Sequence, residues 1–82
     1  MNALGEVSST ERPPAQLLIE PLTTRELEIV HMVTDGLRNR EIATRLTITE
    51  GTVKIHLHNI YEKLGVDGRV QLAMLARSAG LV

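Results

Sequence analysis

The chain has 82 residues and a hydrophobic fraction of 43 %, enough for one small domain with a thin core, and Tyr61 is its only aromatic residue. Leu, Ile, Val, Ala and Met must therefore fill that core, which suits a small helical bundle better than a β-sandwich. The lack of cysteine excludes a disulfide framework, a thiolate metal site and a cysteine nucleophile, and the formal net charge of −1 argues against a strong general field for polyanions.

Residues 1–20 hold one base (Arg12) against three acids (Glu6, Glu11 and Glu20), whereas residues 21–82 carry eight bases and seven acids, net +1. Any nucleic-acid binding thus depends on a few placed contacts. Residues 1–20 show no sustained periodicity and contain Ser8, Ser9, Thr10, Pro13 and Pro14, the composition of a flexible linker or tail. Leu17, Leu18 and Ile19 form an apolar patch that covers the edge of the domain or, as a second option, meets a partner. No apolar run approaches the roughly 18–20 residues of a membrane span, and the N-terminus lacks the basic and apolar regions of a secretory signal. A cytoplasmic protein is expected.

From residue 21 onward the chain reads as helices. Thr23-Thr-Arg-Glu26 fits a capping box and predicts a helix from about Thr24 to Asp35, closed by Gly36. At 100° per residue, Glu26, Ile29, Val30, Val33 and Leu37 share one face. A short helix follows from about Arg40 to Leu46, striped by Ile42, Ala43 and Leu46. Asn39 or Arg38 stands at its start, Asn39 being the better cap by residue type. Thr47-Ile48-Thr49 is long enough only for a tight turn. Thr49 then caps a third helix, about Glu50 to Leu64, closed by Gly65, and Asp67 can cap a fourth, about Gly68 to Ala79, closed by Gly80. Two helices joined by a three-residue turn are the sequence image of a helix-turn-helix.

The third helix has two opposed faces. Val53, His56, Leu57, Ile60 and Leu64 recur at core spacing, which makes His56 a buried, hydrogen-bonded structural histidine. Gly51, Lys54, Ile55 and His58 lie opposite. In a major groove Lys54 can donate to guanine or phosphate, Ile55 can touch a thymine methyl, and His58 can meet a base edge. Gly51 would let the backbone approach closely. Thr49 and Thr52 stand at the amino end, where free amides and the helix dipole favour a phosphate. In the fourth helix Leu72, Leu75, Ala76 and Ala79 form one stripe, while Val70, Met74 and Arg77 form a second, suited to pairing outward with another copy.

Together, Leu22-Thr-Thr-Arg-Glu26, Asn39-Arg-Glu-Ile-Ala43, Thr49-Glu-Gly-Thr-Val-Lys54, His56, Asn59-Ile60 and Lys63-Leu-Gly-Val66 stand in an order and spacing that resembles the LuxR/FixJ/NarL-type helix-turn-helix domain over residues 21–82. The resemblance implies an all-α, four-helix domain whose third helix enters the major groove of double-stranded DNA. It places Lys54, Ile55 and His58 at base-facing positions and Asn39, Thr52 and Asn59 near phosphates, with Lys63 a further backbone candidate. It also implies a homodimer on DNA through the last helix, RNA polymerase as a further candidate partner, and no cofactor. Family members are mostly output domains of larger regulators, often response regulators, so residues 1–20 resemble the linker from a receiver or sensor domain; a small standalone regulator is the alternative. Ile55 and His58 depart from the polar, basic or small residues common in the family at those positions, which bears on the target sequence. If His58 faces a phosphate, lower pH should strengthen binding.

Three rivals remain. An enzyme has little support: His56 and His58 lie roughly 200° apart on their helix, and no catalytic triad, glycine-rich phosphate loop or paired carboxylates are evident. A protein-interaction module of the same fold draws on the low net charge and exposed Ile55. The promoter-reading domain of a sigma factor shares the helix-turn-helix but fits the motifs less well.

Overall fold

A computed structural model describes residues 22–80, which form four helices: α1 (Thr24–Thr34), α2 (Asn39–Leu46), α3 (Glu50–Leu64) and α4 (Arg69–Ser78). The expected tail at 1–20, including Leu17 to Ile19, lies outside the described residues.

The punctuation read from the sequence recurs in three dimensions. At the start of α1 the Glu26 amide donates to Thr23 Oγ1 at 3.1 Å, and Glu26 Oε1 accepts from the Thr23 amide at 2.8 Å, closing the capping box. The helix ends at Gly36, whose φ of 89° is left-handed. There the Gly36 amide reaches the Val33 carbonyl and the Leu37 amide the Met32 carbonyl, both pairings of a Schellman cap. The end of α2 repeats this bonding with the wrong residue type. Thr47 is left-handed at φ 59°, its amide donating to Thr44 and that of Ile48 to Ala43. A β-branched residue there is strained by about 1–2 kcal/mol. That turn sets the angle between α2 and α3, and the partly buried Ile48 packs against the core beside it.

Two caps differ from expectation. The N-cap of α2 is Arg38, and Asn39 is the first helical residue. Arg38 has no side-chain acceptor, so only the reciprocal half of a box exists: the Arg38 amide donates to Glu41 Oε1 at 2.7 Å. At α4 the N-cap is Gly68, not Asp67, and the Asp67 amide donates to Gln71 Oε1 at 2.8 Å.

The core is aliphatic. Ile29, Val30 and Val33 of α1, Ile42 and Ala43 of α2, Val53, Leu57 and Ile60 of α3, and Leu72 and Ala76 of α4 are buried with Leu22. Helix α1 packs on both α3 and α4, and α2 packs on α3. That arrangement buries one side of α3 and leaves the other open. His56 corrects an expectation: it is half-buried and hydrogen-bonds to no described residue. It stands roughly 70° from the centre of the core face, at the seam between core and solvent.

Candidate nucleic-acid interface

The open face of α3 begins at its cap. Thr49 Oγ1 accepts from the Thr52 amide at 3.1 Å and lies 3.0 Å from Thr52 Oγ1, so the two hydroxyls form one polar cluster at the positive end of the helix dipole. Glu50 follows, its carboxylate 3.8 Å from Arg40 Nε on α2, an exposed pair that links the two helices loosely. Lys54, Ile55, His58 and Asn59 are all exposed, and Ile55 keeps 63 % of its surface in water. The expected base-facing residues therefore do share one open helix face.

Two charged partners modify that picture. His58 Nε2 stands 3.2 Å from Glu62 Oε2, one turn along α3. When the imidazole carries a proton, Glu62 competes with any phosphate for it. Lys63, expected as a backbone contact, places Nζ 2.7 Å from Glu26 Oε1 on α1. Glu26 is the buried charged residue of the described core, at 5 % exposure. Burial alone would raise its pKa, but the Lys63 hydrogen bond and charge, with the Thr23 amide and hydroxyl, outweigh burial and hold it below the usual carboxylate value. Lys63 thus fastens the far end of α3 to the start of α1.

Asn39 sits at the other edge of the same surface, half-buried, in a hollow shared with Lys54, Leu57, His58, Tyr61 and Arg69. A neighbouring hollow is lined by Arg38, Asn39, Arg40, Glu41, Glu50 and Arg69. Arg69 was not singled out by sequence reasoning. Its Nη1 donates to Asn39 Oδ1 at 2.9 Å and its Nη2 donates to the Leu37 carbonyl. One signal was available: arginine in the first turn of a helix opposes the helix dipole, so its presence there asks for a specific partner.

On α4, Val70 is 73 % exposed and Met74 64 % exposed, and with Arg69, Ala73, Arg77 and the core residue Val33 of α1 they line a shallow hollow. The second stripe of α4 is thus an open, partly apolar surface. No helix among the described residues is long and apolar enough to cross a membrane, and no cluster of three or more His, Cys, Asp or Glu among them is placed to hold a metal ion.

Comparison with known proteins agrees with this geometry. The family model for bacterial regulatory proteins of the luxR family matches residues 20–76. The chain is 47 % identical over 78 residues to the transcriptional regulatory protein LnrK of Bacillus subtilis, covering 95 % of this chain and 34 % of that protein. It is 46 % identical over 54 residues to the nitrate/nitrite response regulator protein NarP of Escherichia coli, covering 66 % and 25 %. Among solved structures it resembles the response regulator ChrA of a heme-sensing two-component system, with a TM-score of 0.71 and 39 % identity, over 94 % of this chain and 36 % of that one. The chain spans about a quarter to a third of the length of these relatives. With four helices in the expected order and the family's motifs in place, the chain belongs to the luxR family of bacterial regulatory proteins, a family of regulators and not of enzymes.

Proposed function

We propose that the chain is the DNA-binding output domain of a bacterial transcriptional regulator of the response-regulator type, working in the cytoplasm. Helix α3 lies in the major groove of double-stranded DNA, with Lys54, Ile55 and His58 on base edges. Thr49, Thr52, Asn59 and Asn39 hold the flanking phosphates. The observation that carries this reading is the open face of α3: a lysine, a 63 % exposed isoleucine and a histidine side by side on the second helix of a helix-turn-helix. An exposed aliphatic between two donors suits a groove lined with thymine methyls and acceptor atoms. Lys63 is left out of the phosphate set, because its ammonium is paired with Glu26.

Helix α4 pairs with a second copy through Val70, Met74 and Arg77, so that two reading helices address two half-sites related by a twofold axis. RNA polymerase is the natural further partner of a regulator bound near a promoter. Selection of bound duplexes from a random pool tests the reading. An enriched motif with two inverted half-sites supports both DNA reading and pairing, and an enriched single half-site retains the reading without the dimer. A pool that stays random at moderate salt contradicts the proposal and favours a protein-interaction module, the reading to which the net charge of −1 lends some weight.

A further inference from the structure

We propose that Arg69 is a positioning residue that aims the Asn39 side-chain amide at a DNA phosphate; the inference rests on the DNA-binding reading above. Arg69 is the first residue of α4, and its guanidinium reaches across 30 positions of sequence to Asn39 Oδ1 at 2.9 Å and also takes the Leu37 carbonyl. An arginine only donates. The Asn39 amide must therefore turn its oxygen to Arg69, and its NH2 points the other way. Among the described residues that NH2 donates to no acceptor. Asn39 stands at the first position of α2, where backbone amides are also unpaired, and it lines the hollow that contains Lys54 and His58 of the reading face. A donor left over at a helix start beside a reading helix is suited to a phosphate oxygen.

The same contacts fix the backbone. Leu37 and Arg38 lie between helices, and this stretch is held by the Leu37 amide on Met32, the Leu37 carbonyl on Arg69 and the Arg38 amide on Glu41. Removing the guanidinium frees the carbonyl that precedes α2 and leaves the Asn39 amide able to rotate. Because the fork makes two bonds in different directions, a lysine cannot replace it.

The test uses the whole 82-residue chain and a fluorescent duplex recovered by selection from a random pool. Arg69→Ala and Arg69→Lys should each weaken binding about fivefold, the worth of one lost phosphate hydrogen bond. Asn39→Ala should do the same, and adding Arg69→Ala to Asn39→Ala should cost less than about twofold more. The slope of log affinity against log salt should stay unchanged, because no charged contact is lost. A slope that falls by about 0.9, with a loss that persists in the Asn39→Ala background and is rescued by lysine, would make Arg69 itself a phosphate ligand and overturn the proposal. An arm without DNA separates this from failure of the functional reading. The Asn39 side-chain NH2 resonances should shift in Arg69→Lys while circular dichroism stays native; unmoved resonances overturn the positioning role whether or not the chain binds DNA.

Discussion

Replacing Lys63 by alanine removes the ammonium from a carboxylate that is only 5 % exposed. Breaking a fully buried ion pair by deleting one partner costs about 3–5 kcal/mol. Two features reduce that figure here. The Lys63 side chain is itself 35 % exposed, so water can reach the vacated space, and Glu26 Oε1 keeps the Thr23 amide at 2.8 Å. The expected loss is about 2 kcal/mol at neutral pH, or about 10 °C in Tm for a domain this small. The acid limb of the stability curve adds a second signature. The Glu26 pKa is lowered in the folded chain, so its contribution is fully present above the ordinary glutamate value and fades as pH falls through the lowered one. Without Lys63, burial is opposed only by Thr23, and the loss should begin at a higher pH. Glu26→Gln keeps an acceptor for the Thr23 amide, so it should cost about 1 kcal/mol and flatten the acid limb. Thermal melts of the three proteins between about pH 3 and pH 7 make the comparison. A Lys63→Ala variant with wild-type Tm and an unchanged acid limb would refute the reasoning. A fall of about 0.9 in the salt slope of DNA binding would then return Lys63 to the phosphate contacts.

Three further outcomes follow from the same geometry. Thr47→Gly relieves the left-handed strain at φ 59° and, after the extra chain entropy of glycine, should stabilise the domain by about 0.5–1 kcal/mol in a thermal melt; a lower Tm would show that the turn carries no strain. At Gly51 an added Cβ would meet only Thr49 Oγ1, at 3.8 Å, so Gly51→Ala should raise stability by about 0.5 kcal/mol while weakening DNA binding; a variant that binds as the wild type does would place the start of α3 away from the backbone. Glu62→Gln removes the carboxylate that holds the His58 ring and a negative charge from the reading face, so DNA affinity at fixed pH and low salt should rise; an affinity equal to that of the wild type would put His58 and Glu62 away from the DNA.

Much of this was legible because local signals and global fold agree. Thr49 and Gly65 bracket α3 at the residues where the helix begins and ends, and the Thr23 and Glu26 pair announces α1. The open face with Ile55 and the outward stripe of Val70 and Met74 follow from helical periodicity alone. What was missed depends on distance in sequence or on residues acting against type. Arg38 caps α2 although its side chain cannot accept a hydrogen bond, so residue preference pointed to Asn39 instead. Periodicity put His56 inside because it sorts residues into two faces, whereas the packed helix has a seam. Lys63 reads as a DNA-backbone candidate until the fold brings α1 alongside, since Glu26 is 37 residues away in sequence. The Arg69 clamp likewise joins elements whose proximity only the packing of α4 on α1 reveals.

The central claim, that the open face of α3 reads DNA, is tested most directly by Lys54→Ala. Lys54 is exposed and no described residue is paired with it by a salt bridge or side-chain hydrogen bond, so the substitution should leave circular dichroism and Tm unchanged. Titrated against a duplex recovered by selection from a random pool, the variant should lose about tenfold or more in affinity and most of its preference over a scrambled duplex, as expected for one base contact of about 1–3 kcal/mol. Affinity and preference equal to the wild type at both low and moderate salt would contradict the account.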